Sequence, residues 1–403
     1  MDLSAAGAPV LAQVQGVMEV KRLRGAVRGL ALQLPTSLNT PDAVAGLRSL
    51  SFVEDVEREG IVTVQIANVA AAGVPTTAPI GLLRTGLARL EGNDLKVQPT
   101  VTNATSVSIA IVDTGVDSKH PDILLAGGKD FTPDNDYGLD GNGHGTHVAG
   151  IIGALNNGAG VVGAVPGAPI WSLKVLSASG QGTTTGVIDA LNWVADNGRA
   201  RNIRVVNLSL SGPRSKMICD AMREVVAQGI TVIAAAGNNG MEISSGSPSD
   251  CSSALVVTAM ADYDGKPGGK AQPPKSPGAP TTPDDTAASF SNYAMSRNAH
   301  VVAAPGVHVL STVPAARCGP LKCTQAGPYA YLSGTSMAAP LVSGMAALCY
   351  NSGACAAKRS SSAGALYTSI YNAARADRGA GFVGDPSTPL ARKFYGYLAT
   401  NTF

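Results

Sequence analysis

Four short, mostly apolar runs that alternate with helical segments constrain this chain more than any other feature. Ser108–Val112, Ile170–Leu176, Val205–Leu210 and Ile230–Ala236 read as strands. Between them His144–Leu155, the amphipathic Thr184–Asn197, and Cys219–Gln228, stopped by Gly229, read as helices. Strands buried on both faces show continuous apolar runs, and parallel neighbours need a crossover between them. The expected fold class is therefore α/β: a three-layer, doubly wound, mostly parallel sheet with helices on both faces.

Composition narrows the function. Charged residues are only 14% of the 403, against about 25% in an average domain. Hydrophobic residues reach 45% with aromatics at 4%, and Gly and Pro number 47 and 25. Small and branched side chains therefore supply the core. A net charge of +2 gives no basic excess for nucleic acid and excludes a disordered polyelectrolyte. No apolar run approaches the roughly 18 residues of a membrane span.

Residues 1–70 differ from the rest. Glu54-Asp55-Val56-Glu57-Arg58-Glu59 is a dense charge cluster before Gly60, Ile61–Ile66 reads as a strand, and Pro41–Leu50 reads as a helix capped by Asn39 or Thr40. A small α+β unit is expected there. Residues 71–79 have linker composition. The segment 263–285 holds Pro267, Pro273, Pro274, Pro277, Pro280 and Pro283 with almost nothing apolar, and a long solvated insertion is expected. The six cysteines lack CxxC spacing; three disulfides would suit them, with 15 possible pairings. No basic stretch followed by an apolar one opens the chain, so no secretory leader is expected within it.

Three residues carry candidate chemistry. Asp113 ends a strand beside Gly115, where open α/β sheets place their sites; alone it would serve as a helix cap. His144 lies among glycines, and its second ring nitrogen could be oriented by a carboxylate such as Asp113. His147, three residues on, shares its helix face, but five histidines in all leave a zinc site short of ligands. Ser336 follows Gly334-Thr335 at an expected helix N-terminus, whose free N–H groups favour negative charge; alone it would be an ordinary N-cap. Together, in the order Asp113, His144, Ser336, they match one of the known orders of the Ser-His-Asp triad.

The surrounding strings AIVDTGVD, GNGHGTHVAG and SGTSMAAP resemble the subtilisin-like serine endopeptidases, the subtilase family, over about residues 80–403. Residues 1–70 resemble, more weakly, its inhibitory propeptide. The resemblance implies Ser336 as nucleophile, His144 as base, Asp113 as its orienting carboxylate, and Asn238 as oxyanion donor with the Ser336 N–H. It implies a substrate cleft between Ser179, Gly180, Gln181 and Gly182 on one side and Ser209, Leu210, Ser211 and Gly212 on the other. Ser211 stands where many members have Gly, which narrows the primary pocket. Leu341 stands where most have His.

GxGxxG at Gly158–Gly163 lacks the strand before and helix after that a dinucleotide site needs. The same segment resembles the family's calcium loop. That likeness implies structural Ca²⁺ held by Asp122, the Asn157 side chain and the carbonyls of Leu155, Ala159 and Val161. The expected molecule is thus a secreted, monomeric serine endopeptidase made as a self-processed zymogen, with its own propeptide as intramolecular inhibitor, polypeptides as substrates and no organic cofactor. Self-cleavage is expected within 68–78. Asn103-Ala104-Thr105 is a glycosylation sequon; Asn207-Leu208-Ser209 is another, on a strand expected to be buried. The alternative is a catalytically silent binding scaffold of the same fold.

Overall fold

The computed structural model describes residues 18–23, 25, 27–34, 40–51, 53–64, 66–69, 80–91, 94–97, 107–133, 139–275, 280–296, 300–352, 363–377 and 381–401. The linker 71–79 and the Asn103 sequon lie outside them.

In chain order the strands are β1 (Met18–Leu23), β2 (Gly29–Gln33), β3 (Ile61–Val64), β4 (Asn68–Val69), β5 (Ala88–Glu91), β6 (Asp94–Val97), β7 (Ser108–Asp113), β8 (Leu125–Asp130), β9 (Ile170–Lys174), β10 (Gln181–Thr183), β11 (Ile203–Leu208), β12 (Leu210–Ser211), β13 (Thr231–Ala235), β14 (Leu255–Ala261), β15 (Thr286–Ala287), β16 (Val301–Pro305), β17 (Val309–Thr312), β18 (Tyr329–Ser333) and β19 (Tyr397–Leu398). The central sheet runs β8-β9-β7-β11-β13-β14-β16-β19, every neighbouring pair parallel. The chain moves outward from β7 to β8, returns to β9, then builds the other half from β11. The order therefore reverses at β7, and a parallel sheet opens a crevice at the C-terminal ends of such strands.

The period-two alternation splits the core in two. Ile109 and Ile111 of β7 face the helices His144–Gly153 and Thr335–Asn351 with Val148, Ile152, Leu341 and Met345. Ala110 and Val112 face Thr184–Asn197 and Lys216–Ala227 with Val187, Leu191, Ile218 and Met222. Each fully buried branched side chain contributes roughly 1.5–3 kcal/mol. Asn207 is buried on β11, so its sequon is closed to glycosylation. Two disulfides, Cys219–Cys251 and Cys318–Cys323, pin surface connections; Cys349 is disulfide-bonded as well.

Two segments depart from the sequence reading. The insertion 263–285 is exposed at residues 266–270 but anchored at its ends. Asp284 accepts the amides of Tyr263 and Ala271, Asp285 those of Gly268 and Gly269, and the buried Arg84 guanidinium pairs with Asp262 at 2.6 Å and Asp285 at 2.8 Å. Carboxylates that accept backbone N–H groups do the ordering that apolar contacts do elsewhere. Second, the charge cluster at 54–60 is tied to the rest of the chain, although Glu54, Arg58 and Glu59 are exposed. Glu57 accepts from Ser215 Oγ at 2.6 Å and Met217 N at 3.0 Å, at the N-terminus of Lys216–Ala227. Glu59 accepts from Thr184 Oγ1 and Thr185 N, at 2.9 and 2.8 Å, at the N-terminus of Thr184–Asn197. Two helix ends that need acceptors and favour negative charge thus receive both from the N-terminal unit.

Candidate active site

Asp113 ends β7 at the crevice, and His144 opens the helix that follows it. The His144 Nδ1 lies 2.7 Å from Asp113 Oδ1, with both groups buried. Asp113 Oδ1 also accepts the Thr114 amide at 2.7 Å. A carboxylate so placed fixes the ring and its tautomer, with Nε2 as the free base. Among the described residues that Nε2 has no hydrogen-bond partner.

Ser336 is the second residue of the helix Thr335–Asn351, entered through Gly334. Its Oγ donates to the Ser209 carbonyl at 2.9 Å, while Ser209 Oγ donates back to the Ser336 carbonyl at 3.1 Å. Behind them Asn207 donates to Ser209 Oγ and accepts from Ser343 Oγ. The hydroxyl therefore rests on the β11–β12 edge rather than on His144. Asn238 Oδ1 accepts both Thr335 N and Thr335 Oγ1 at 2.9 Å. That fixes the amide with its donor end turned away from Thr335.

Sequence reasoning missed Asn292. Its side chain donates to Ala236 O at 2.9 Å and accepts from Asn239 N and Met241 N, and its own amide donates to Gly237 O. It grips the loop bearing Asn238 from both sides. A Cβ on Gly237 would meet Asn292 Nδ2 at 2.4 Å, at a φ of +101°, so glycine is required there.

The two expected cleft edges do face one another, with the chain's own strand β3 between them. β3 pairs antiparallel with β10 through Gln181, Gly182 and Thr183, and with β12 through Leu210 and Ser211. Val64 N donates to Gly180 O at 3.0 Å, and Val62 is fully buried. Ser179 stands at the turn, its Oγ 2.8 Å from Ser177 Oγ, and Gly212 exchanges both backbone hydrogen bonds with Ser247. Beyond β3, Ala67 N donates to Ser333 O and β4 pairs with β18. The segment thus crosses from one side of Ser336 to the other. Gly60 admits it: a Cβ there would meet the Pro213 ring at 2.5 Å.

Comparison with known proteins identifies the family. The subtilase family model matches residues 104–382. The chain belongs to the subtilase family. It is 36% identical to subtilisin DY of Bacillus licheniformis over 63% of this chain and 80% of that one. It is 38% identical to subtilisin Savinase of Lederbergia lenta over 60% and 76% respectively. M-protease of Shouchella clausii is 38% identical over 60% of the chain, a match spanning 54% of that relative. Among solved structures, a cold adapted subtilisin-like serine proteinase superposes with a TM-score of 0.57 at 26% identity, covering 81% of this chain and all of that one. The parallel sheet with its flanking helices is the subtilisin-like α/β fold.

Of the residues expected to hold calcium, Leu155, Asn157, Ala159 and Val161 lie in the loop after the helix His144–Gly153, and Asp122 lies against that loop. Leu155 N donates to Asp122 O at 3.0 Å, Asn157 Nδ2 to Asp122 Oδ1 at 2.7 Å, and Ala159 N to Asn157 Oδ1 at 3.0 Å; Val161 packs beside Tyr329. Asp122 is buried, and its other oxygen accepts the Tyr329 hydroxyl at 2.7 Å. One carboxylate, one amide and three carbonyls are hard oxygen donors that suit Ca²⁺, and among the described residues no cationic side chain is bonded to the carboxylate. A cation there would need the Asn157 amide to turn its oxygen toward Asp122. Gly158 and Gly160 sit in the same loop, with no strand before it and no helix after it.

His147 has a structural place. Its Nε2 lies 3.1 Å from Val309 O and 3.0 Å from Ala330 O, and burial pushes the imidazole down to about 3. It is neutral and donates to those carbonyls. Leu341 fills core volume and meets Gly81 of the short helix Ile80–Arg84.

Proposed function

We propose that this subtilase is a serine endopeptidase, made as a zymogen that cuts itself and then hydrolyses other polypeptides through an acyl-enzyme. The observation that carries the reading is β3, an extended segment bound between two strand edges beside Asp113, His144 and Ser336. An extended substrate would take the same main-chain hydrogen bonds by β-augmentation.

In the first step the Ser336 hydroxyl leaves the Ser209 carbonyl, gives its proton to His144 Nε2 and attacks the scissile carbonyl carbon. Asp113 stabilises the imidazolium that forms. The carbonyl oxygen, now negative, is met by the Asn238 amide and the Ser336 N–H. One such donor is worth about 2.7–4 kcal/mol, a magnitude measured on subtilisin itself. The imidazolium returns its proton to the departing amine as the C–N bond breaks. A water then repeats the sequence on the ester and frees the enzyme. Ca²⁺ at Asp122, Leu155, Asn157, Ala159 and Val161 would stabilise the fold without entering these steps.

Register supports a particular self-cleavage point. Val64 pairs with Leu210, the neighbour of Ser209, whose carbonyl Ser336 touches. The bond after residue 65 is thus the proposed cut, ahead of the 68–78 window read from sequence; residue 65 itself lies outside the described residues. Disulfides support an oxidising, extracellular compartment, and among the described residues no helix is long and apolar enough to cross a membrane.

The test is Ser336→Ala. The variant should fold, remain a single chain, digest no casein and resist a fluorophosphonate probe that labels the parent at Ser336. The parent's new N-terminus should be Ile66. A parent chain that never labels would favour the silent scaffold, and wild-type proteolysis by the variant would sink the reading.

A further inference from the structure

We propose that Asp140 is a positioning residue of the reaction. It would join the strand that ends in Asp113 to the first turn of the helix that begins at His144, and place a second negative charge beside the imidazole. The inference rests on the peptidase reading above.

Asp140 is 2% exposed, and its two oxygens accept five hydrogen bonds. Oδ1 takes Thr114 Oγ1 at 2.8 Å, Asn142 N at 3.1 Å and Gly143 N at 2.7 Å. Oδ2 takes Thr146 N at 2.9 Å and Thr146 Oγ1 at 2.6 Å. The donors come from both sides of the site. Thr114 follows Asp113 directly, and its Oγ1 also accepts the Gly145 amide at 2.9 Å. Asn142, Gly143 and Thr146 flank His144. The N-cap position of the helix is Gly143, which has a φ of +102° and no side chain to cap with. The amides of its first turn are met by the Asn142 side chain, Thr114 and Asp140 instead. Asp140 therefore does the work of an N-cap from three residues upstream, with a full charge.

Space around this joint is closed. A Cβ on Gly145 would fall 2.1 Å from Gly115 O, and one on Gly115 would fall 2.9 Å from Leu139 O. A shift of the 139–143 turn must therefore move His144 against Asp113. A displacement of about 1 Å at such a site costs on the order of a hundredfold in rate.

Charge gives the second half of the argument. Facing the His144 region are Asp113 from β7, buried Lys174 from β9, whose Nζ donates to Thr114 O and Leu139 O, and Arg317, whose Nε donates to Asn142 O. His147 on the same helix is neutral. An imidazolium formed at His144 meets the positive end of its own helix, with Lys174 and Arg317 bonded to the backbone of the segments on either side. Asp140 adds to Asp113 the second anion that offsets them.

The experiment compares Asp140→Asn and Thr146→Val with the parent, using fluorophosphonate labelling rate and kcat/KM on a peptide amide from pH 5 to 9. Asp140→Asn is expected to lower kcat by at least about tenfold with KM changed less than about threefold, and to move the acid limb of the profile to lower pH. Thr146→Val keeps the charge and breaks one brace. It should lower kcat with the acid limb unmoved, and it supplies the test if Asp140→Asn does not fold. An acid limb unmoved in folded Asp140→Asn overturns the electrostatic part. Parent-like kcat in both variants overturns the whole. A parent that does not label at all defeats the peptidase reading instead.

Discussion

The arm formed by residues 53–69 and the sheet it crosses satisfy their backbones by opposite means. The sheet strands pair with one another, buried on both faces between helices. The arm takes its bonds from edges that would otherwise stand open: β10 and β12 on one side of Ser336, β18 on the other, and two helix N-termini behind Glu57 and Glu59. Of its apolar side chains Val62 is fully buried, while Val64 and Ile66 are only partly so. The sheet is thus held by area, and the arm by main-chain bonds plus one anchor and two caps. The two should fail separately.

The largest break is expected at the anchor. In the uncleavable Ser336→Ala chain, Val62→Asp puts a carboxylate where Val62 packs with Leu176 and Leu210. A buried, unpaired charge costs about 3–5 kcal/mol. Amide exchange at Gly180–Thr183 and Leu210–Gly212 should speed up by on the order of a hundredfold, while β7 and β11 keep their protection. Equal loss in both regions would mean that arm and sheet are one cooperative unit.

Acid should weaken the β17–β18 pair and the helix His144–Gly153 behind it first. The fold holds His147 at about 3 and His308 at about 4 through burial, and lowers His120 in the same direction, against an unfolded value near 6.5. A depressed imidazole binds its proton more readily in the unfolded chain. The stability is therefore fully present above about pH 6.5 and is lost as pH falls toward about 3, by at most about 1.4 kcal/mol per pH unit per group. Urea unfolding of the mature domain at pH 7 and pH 5 should show the loss, and His147→Asn should flatten the slope. A slope unchanged by that substitution would put the acid sensitivity elsewhere.

A smaller effect is expected at the caps. Glu57→Ala and Glu59→Ala each remove a carboxylate from a helix N-terminus, at about 1 kcal/mol apiece. The double variant should speed exchange along β3 and its partners by roughly tenfold, less at high salt. An effect on Val205–Leu208 of the same size would show that the caps serve the domain rather than the arm.

The sequence made the sheet legible from β7 to β13 because buried parallel strands leave unbroken apolar runs, and the three motif strings carried Asp113, His144 and Ser336. Leu125–Asp130 left no such trace. β8 is an edge strand whose Gly127 lies under the Trp171 ring, so packing chose small residues over apolar ones. Asn292, Asp140, Glu57 and Glu59 were equally silent. Each works through backbone N–H groups of distant or irregular segments, and a backbone amide has no letter in the sequence. The acidic run was visible as charge, but its meaning needed helix ends more than a hundred residues away. Arg84 likewise finds Asp262 and Asp285 only in space.

The most discriminating test concerns the loop at Asp122, where subtilase resemblance and hydrogen bonding pull in different directions. As the side chains stand, Asn157 gives Asp122 a donor and Tyr329 gives it another. That network is complete without a cation, so chelation alone could be absorbed by the amide's turning. Asn157→Asp removes that option, because its carboxylate would then face the buried carboxylate of Asp122. With chelator the variant should melt several degrees below the parent. With Ca²⁺ at about a hundred times its dissociation constant it should regain roughly 2.7 kcal/mol, or a few degrees, by linkage. Recovery by Ca²⁺ but not by Mg²⁺, which holds its waters and demands tighter geometry, would identify the loop as a calcium site. Equal melting with and without Ca²⁺ would leave the Asp122–Asn157–Tyr329 network as the whole of what holds this loop.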